Sequence, residues 1–410
     1  MSEQVVVIGA GAAGFFAAIA CKRHCPTASV TILEKSEKML AKVKVSGGGR
    51  CNVTTSVTDI SALITHYPRG SKQLRKCFGQ FGPTDTVRWF AERGVPLKTE
   101  ADGRMFPITD SSQTIIDCLM NEAQRLGIVI RKSTPVKSII PKEKGFELNC
   151  GEGEVIHADC VIITTGGSPK MEAYRWLEEL GHRIEPPVPS LFTFNMPDED
   201  ITALMGVVAN PVAVRIQGTK LRSEGPLLIT HWGMSGPAIL KLSAFGARIL
   251  NGMGYAFTVQ LNWLHEATEE DARALVSTHR AAHPEQQANN GNPTRLPSRL
   301  WVYLLSRAGI AETTRWADIQ GKPMNRLINA LVNDAYAAKG KTTFKEEFVT
   351  CGGVALEDVD MTTMQSRKCP RLHFAGEILD VDGVTGGFNF QAAWTTGFIA
   401  GRSCAASLSE

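Results

Sequence analysis

Residues 46 to 52 read Ser-Gly-Gly-Gly-Arg-Cys-Asn, three positions without a side chain followed at once by a fixed cation, a thiol and an amide. Gly47, Gly48 and Gly49 let the backbone turn through φ > 0 and leave no Cβ to collide with a flat ligand. Arg50 can then balance phosphate or ring charge, and Asn52 can offer its amide to a carbonyl. Lys42 and Lys44 stand just upstream as further cations for a phosphate. Cys51 has two readings beside an arginine, an activated thiol or a small packing group, and packing is the commoner use.

A second glycine cluster explains what the first could grip. Gly9-Ala-Gly11-Ala12-Ala13-Gly14 follows the β-branched run Val5-Val6-Val7-Ile8 and opens an apolar stretch from Ala12 to His24. In a strand-turn-helix context, the first glycine allows the tight turn, the second lets a pyrophosphate approach the backbone, and the third permits close helix packing. The helix-start amides and dipole then face the phosphate charge. Glu34 ends the next β-branched run about 20 residues further on, where a carboxylate accepts ribose hydroxyls and repels a 2′-phosphate, so NADP is not expected here.

The third cluster lies near the other end. Phe374-Ala-Gly376-Glu377 leads through Asp380 and Asp382 to Gly383-Val-Thr-Gly386-Gly387, and a long apolar helix is expected from Phe388 to Ser403. Its first-turn amides can receive an anionic group, and for a flavin that group is the N1–C2=O edge, where charge develops on reduction. Asn389 and Gln391 are candidate donors there. A lone candidate for proton transfer is His231, in His-Trp-Gly-Met-Ser-Gly-Pro, with Trp232 and Ser235 as neighbours. The same residues also read structurally: Ser235 as the cap of a helix starting near Pro237, and His231 with Trp232 as packing groups.

The elements that must position these residues follow from periodicity. Val5–Ile8, the helix Ala12–His24 and Val30–Leu33 form a βαβ unit, and 127–132, 136–140, 145–150 and 155–164 read as further strands, the last ending at Thr165, Gly166 and Gly167. After Pro186-Pro187-Val188-Pro189 the pattern is strand-like from 191 to 264, then helical from 265 to 340, with HPEQQANNGNP at 283–293 as an exposed loop. From 341 the glycine-rich text FVTCGGVALEDV and LHFAGEILDVDGVTGG looks like the missing edge of the first domain. The expected fold is therefore α/β: a discontinuous dinucleotide-binding domain (1–190 and 341–410), an inserted β-rich module (191–264) and a small helical one (265–340).

Composition narrows the function classes. With 43% hydrophobic and 21% charged residues, the chain has material for a large core, and 44 basic against 41 acidic residues leave a net charge of only +3 without a basic tract. No nucleic-acid or membrane partner is expected on that basis, and a small-molecule substrate is. The start lacks the pattern of a signal peptide, and 5–21, though uncharged, falls short of the roughly 20 apolar residues of a span. Ten cysteines without a C-x-x-C pair are expected to be free thiols in a reducing cytoplasm, with no bound metal.

GAGAAG with Glu34, SGGGRCN and AGEILDVDGVTGGFNFQAAWTTG together resemble the BaiN-like (YhiN-type) bacterial flavoprotein family, and THWGMSGPAILKLS and FVTCGGVALEDV extend the resemblance over nearly the whole chain. It implies a two-dinucleotide-binding-type FAD domain built from both chain ends, with a β-barrel-like and a helical insertion. It also implies FAD contacts at Gly9, Gly11, Ala13, Gly14, Glu34, Lys35, Arg50, Cys51, Gly376, Glu377, Asp380, Gly387, Phe388 and Asn389, and at the backbone of Val136 on an edge strand. Thr350-Cys351 departs from the Thr-Ala expected of the family.

The implied activity is an FAD-dependent oxidoreductase: a reductase of conjugated C=C bonds, or an aminoacetone-oxidase-like enzyme using oxygen. With one glycine fingerprint only, NAD(P)H would visit the flavin transiently as reductant. Candidate catalytic residues are His231, Arg50 and Asn389. A flavin-binding RNA-modification factor and a non-catalytic redox sensor are the readings from other classes, the former disfavoured by the balanced charge.

Overall fold

A computed structural model describes residues 2–343 and 349–408, so Phe348, the first residue of FVTCGGVALEDV, lies outside the described residues. Contacts divide the chain into two compact units: the segments up to Ser190 and from Val349 onward, and the segment beginning at Leu191.

The first unit is organised by a parallel sheet. Its strands are β1 (Gln4–Ile8), β2 (Ser29–Leu33), β3 (Val129–Arg131), β4 (Cys160–Ile163) and β5 (Leu372–Phe374), in the order β3-β2-β1-β4-β5 with every neighbouring pair parallel. Val5, Val6, Val7 and Ile8 are all buried, as are the four residues of β4, which is why these runs are continuously apolar. The strand order reverses between β1 and β4, and in such sheets ligands bind at the carboxyl ends of the strands beside that reversal. Gly9, Thr164 and Ala375 all lie there.

Helix α1 (Ala12–His24) is buried from Ala13 to Cys21, and packs against α2 (Phe388–Ser407). Methyl groups at Gly397 and Gly401 would lie 2.6 Å from Ala13 O and 2.1 Å from Ala17 O, so these glycines set how closely the two helices approach. Cys160 of β4 and Cys404 of α2 are paired as a disulfide, with His373 Nδ1 3.5 Å from the Cys160 sulfur; the expectation of ten free thiols fails for this pair, which the fold brings together from distant sequence.

Two sequence expectations change in this unit. The single strand expected over 155–164 divides at Asp159, whose carboxylate accepts the Gln4 amide hydrogen at 2.7 Å, and its first half joins an antiparallel sheet with Ser138–Pro141 and Phe146–Gly151. Val136 is not on an edge strand. It precedes Ser138–Pro141 in a segment without regular structure, because the chain has left β3 and has not yet entered the next sheet.

The second unit holds a seven-stranded sheet whose edge strands, Asp334–Lys339 and Lys341–Thr342, are consecutive in the chain. Gly340 joins them, donating to Tyr255 O at 2.7 Å and accepting from Asn195 N at 3.2 Å, so the sheet closes on itself in a barrel-like way. The strand Asp334–Lys339 falls inside the region expected to be helical, its alternating buried and exposed positions marking it as half-buried. Helices Glu269–Ala282, Ser298–Arg307 and Gly321–Val332 share one hydrophobic core with the sheet through Val276, Leu300, Trp301 and Leu327. The 283–293 loop is pinned by two indoles: Trp301 Nε1 donates to Ala288 O at 2.8 Å and Trp316 Nε1 to Gly291 O at 3.1 Å.

Candidate functional site

The glycines of GAGAAG divide by what surrounds them. A methyl at Gly9 would lie 2.5 Å from Thr164 O, and one at Gly14 would lie 2.0 Å from Gly9 O, so both are required by the close packing of α1 on β1 and β4. A methyl at Gly11 would meet nothing within 4 Å. Gly11 is also the residue from which α1 starts, and no side chain caps it. The chain thus leaves a concave, amide-lined space in front of Ala12 and Ala13, as an anionic diphosphate needs.

Glu34 closes one side of this space. Its Oε2 accepts the Ala10 amide hydrogen at 3.0 Å, while Oε1 accepts from Ser36 N and Oγ, each at 3.0 Å. Lys35 is exposed beside it.

The triple glycine forms a left-handed turn with φ of 59° at Gly47, 69° at Gly48 and 84° at Gly49. Phe106 seats Gly47, where a methyl would come within 2.9 Å of the ring, whereas Gly48 and Gly49 face open space. Arg50 lies over the Phe106 ring at 4.0 Å and donates to Glu100 at 2.6 Å, with Asp110 at 3.6 Å. The Glu100 hydrogen bond and charge raise the guanidinium pKa further, so Arg50 is a fixed cation. Cys51 is fully buried with φ of 62°, and burial pushes its thiol up to about 12, which makes it a packing residue and not a nucleophile.

Asn52 joins this turn to the third glycine cluster. Its amide donates to Thr54 O at 3.1 Å and accepts from Gly387 N at 2.9 Å. Gly387 opens α2 at φ 88°, pressed against Thr54 so that a methyl would lie 2.3 Å from its carbonyl oxygen. Asn389 uses both ends of its amide on Gly383, accepting from N at 2.8 Å and donating to O at 2.9 Å, and so shapes the loop carrying Gly386. Gln391 is fully buried and accepts from Thr54 and Thr86 hydroxyls at 2.5 and 2.9 Å; it braces the cradle from inside instead of facing a ligand. The reason is helical geometry: Gln391 sits one turn into α2 on its inner face.

The remaining candidates gather at the same strand ends. Glu377 accepts Thr350 N at 2.8 Å and pairs with Lys42 Nζ at 2.5 Å, linking the glycine turn to the segment after β5. Gly376 N donates to Thr396 of α2 at 2.9 Å, and Asp380 N to Val354 O at 3.0 Å. Thr165, Gly166 and Gly167 follow β4, with Gly167 held close to Thr350. Phe388 is buried, stacked by His66 at 4.2 Å, and its carbonyl accepts from Tyr67 Oη at 2.7 Å. Sequence reading missed Glu100, Phe106, His66 and Tyr67, since they reach the site only through tertiary packing and carry no local motif.

His231 belongs to the second unit. It is exposed on the two-residue turn between Arg222–Thr230 and Gly233–Ser235, edge-on to Trp232 at 4.2 Å. Trp232 Nε1 donates to Thr193 at 3.1 Å. Gly236, not Ser235, is the residue before the helix Pro237–Gly252, because Ser235 remains paired in the sheet.

The HI0933-like protein Rossmann domain family matches residues 3–403, nearly the whole of this arrangement. The chain belongs to that family, and is an FAD-dependent oxidoreductase. It is 28% identical over 411 residues to a 3-dehydro-bile acid delta(4,6)-reductase of Clostridium scindens, covering 98% of this chain and 99% of that one. It is 30% identical over 418 residues to a ribosomal RNA dihydrouridine synthase of Escherichia coli, covering 99% of each. Two solved structures share the fold: the open conformation of a flavocytochrome c3 fumarate reductase (TM-score 0.52, 16% identity, 100% of this chain and 79% of that one) and 3-ketosteroid delta1-dehydrogenase from Sterolibacterium denitrificans (TM-score 0.52, 13% identity, 99% and 100%). The FAD-binding family fits the residues present, since the glycines open to solvent, Gly11, Gly48 and Gly49, are those where a Cβ would intrude on a ligand. No described helix is long and apolar enough to cross a membrane.

Proposed function

We propose that the protein is a reductase of activated carbon–carbon double bonds, in which NAD(P)H reduces the bound FAD and hydride passes from flavin N5 to a small enone-like molecule. One observation carries the reading: the two open glycine turns and the start of α2 are tied into one cradle by Asn52 and by Lys42 with Glu377. Bound FAD supplies a two-electron store and a hydride donor.

The chain's own residues hold and tune it. The Gly11 turn and the first amides of α1 receive the diphosphate, Glu34 faces the ribose, and Arg50 supplies a cation kept in place by Glu100 and Phe106. The α2 start holds developing negative charge at the ring edge, which raises the electron affinity of the cofactor. A conjugated alkene suits such a donor because the neighbouring carbonyl takes up charge as hydride adds. The names of the relatives support this class, since a bile-acid delta(4,6)-reductase and a dihydrouridine synthase both saturate a C=C bond conjugated to a carbonyl.

A second reading replaces the small enone by a uracil ring in RNA. It is favoured by the relatives named ribosomal RNA dihydrouridine synthase, from Escherichia coli and from Haemophilus influenzae, the latter 27% identical over 428 residues. The net charge of +3 without a basic tract weighs against it.

Anaerobic stopped-flow absorbance tests both. The holoprotein is mixed with NADH, NADPH or aminoacetone, and the reduced flavin is then offered an enone, a uridine-containing RNA or oxygen. Bleaching by a nicotinamide and rapid return of colour with the enone is the expected result. Return with RNA alone moves the assignment to the second reading, and bleaching by the amine with oxygen as sole acceptor makes the protein an oxidase. Protein that stays colourless with excess FAD overturns all three.

A further inference from the structure

Saturating a conjugated alkene takes a proton at the α-carbon as well as a hydride at the β-carbon, and most titratable groups of the cradle cannot supply one. The Cys51 thiol is pushed up to about 12 by burial, and burial holds the Tyr67 phenol well above its usual range while its hydroxyl is engaged with Phe388 O. Lys42 and Glu377 are paired with each other, Arg50 is held by Glu100, and Asp382 is fully buried against Arg69 and Ser190.

His66 differs from all of them. It follows the short helix Ile60–Ile64 and is tied to the third glycine cluster at two points: its carbonyl accepts Val384 N at 2.9 Å, and its ring stacks on Phe388 at 4.2 Å and 13°. Nδ1 lies 3.1 Å from Ala62 O, which only accepts, so Nδ1 carries the hydrogen of the neutral ring. Nε2 therefore takes up and gives the exchangeable proton, and it has no hydrogen-bond partner among the described residues. The ring is half-buried, open to water for reprotonation.

We propose that His66, in place of His231, is the proton donor of the reductase reaction; this rests on the reductase reading above. As hydride from the reduced flavin bonds to the β-carbon, the π pair moves to the α-carbon and takes the proton from Nε2. The alkene is reduced, the flavin oxidised, and the imidazole left neutral until water restores its proton. The stack on Phe388 fixes the ring beside the start of α2, where the ring edge of the cofactor is expected.

His66→Phe keeps an aromatic ring over Phe388 and removes the proton. The purified holoprotein is expected to hold FAD with the wild-type visible spectrum and to be reduced normally by dithionite. Its reoxidation by an enone should slow at least about a hundredfold, the usual worth of general-acid catalysis. His66→Ala should regain part of that rate with added imidazole. A His66→Phe protein reoxidised at the wild-type rate, a His66→Ala protein that holds FAD but gains nothing from imidazole, or a comparable loss in His231→Ala instead, overturns the assignment alone. Wild-type reduced flavin that neither enone nor uracil reoxidises overturns the reductase reading, and the assignment with it.

Discussion

The Glu34 carboxylate accepts a hydrogen from the Ala10 amide at 3.0 Å, so the end of β2 is fastened to the loop between β1 and α1. Glu34→Ala is expected to weaken FAD binding at least tenfold, since both the loop shape and the ribose acceptor are lost. Flavin fluorescence titration of the apoprotein checks this, with wild-type affinity as the contrary result.

Gly11 and Gly14 are expected to respond in opposite ways to the same added methyl. Gly14→Ala forces backbone apart at Gly9 and should cost about 1–3 kcal/mol of stability. Gly11→Ala meets open space, so its urea midpoint should match wild type while FAD binding drops. Equal loss of stability in both would contradict the division drawn between packing and ligand-facing glycines.

Glu100→Gln releases the guanidinium of Arg50 from its nearest acceptor without changing the size of the side chain. The expected result is a several-fold rise in the FAD dissociation constant and a shifted flavin absorption band, with the far-ultraviolet circular dichroism unchanged. An identical spectrum and affinity would show that Arg50 keeps its place without this partner.

Glu122 receives hydrogen bonds from Arg23, Arg93 and Arg125, and these arginines outweigh the cost of its burial and depress its carboxyl to about 2. A depressed folded-state pKa means stability that is present above the unfolded value near 4.5 and lost as pH falls toward about 2. Urea midpoints measured across that window should therefore fall in the wild type and vary less in Glu122→Gln. Parallel curves would remove Glu122 from the account.

The FAD half of the architecture was legible because its signals are local. GAGAAG, a β-branched strand on either side and Glu34 at the right distance are one continuous piece of chain, and the structure builds β1, α1 and β2 from them. Gly387 and the start of α2 were legible for the same reason. Val136 was misplaced because alternation of apolar residues cannot tell a strand from the connector leading into it. Gln391 looked like a donor because its type says nothing about which face of a helix it occupies. Asp334–Lys339 looked helical because it follows three helices, although its own alternation is that of a strand. Glu100, Phe106 and His66 were illegible for a deeper reason: their partners are Arg50, Gly47 and Phe388, and only folding makes them neighbours.

The chain order of the parallel sheet governs when the cradle can exist. β1 with its glycine loop leaves the ribosome early, but its neighbour across β4, β5, and the α2 start that Asn52 holds are made only after the entire Leu191 unit has been synthesised. Coenzyme loading is therefore a late event in biogenesis, and a prematurely terminated product, however well its early segments form, has nothing with which to clasp the yellow group.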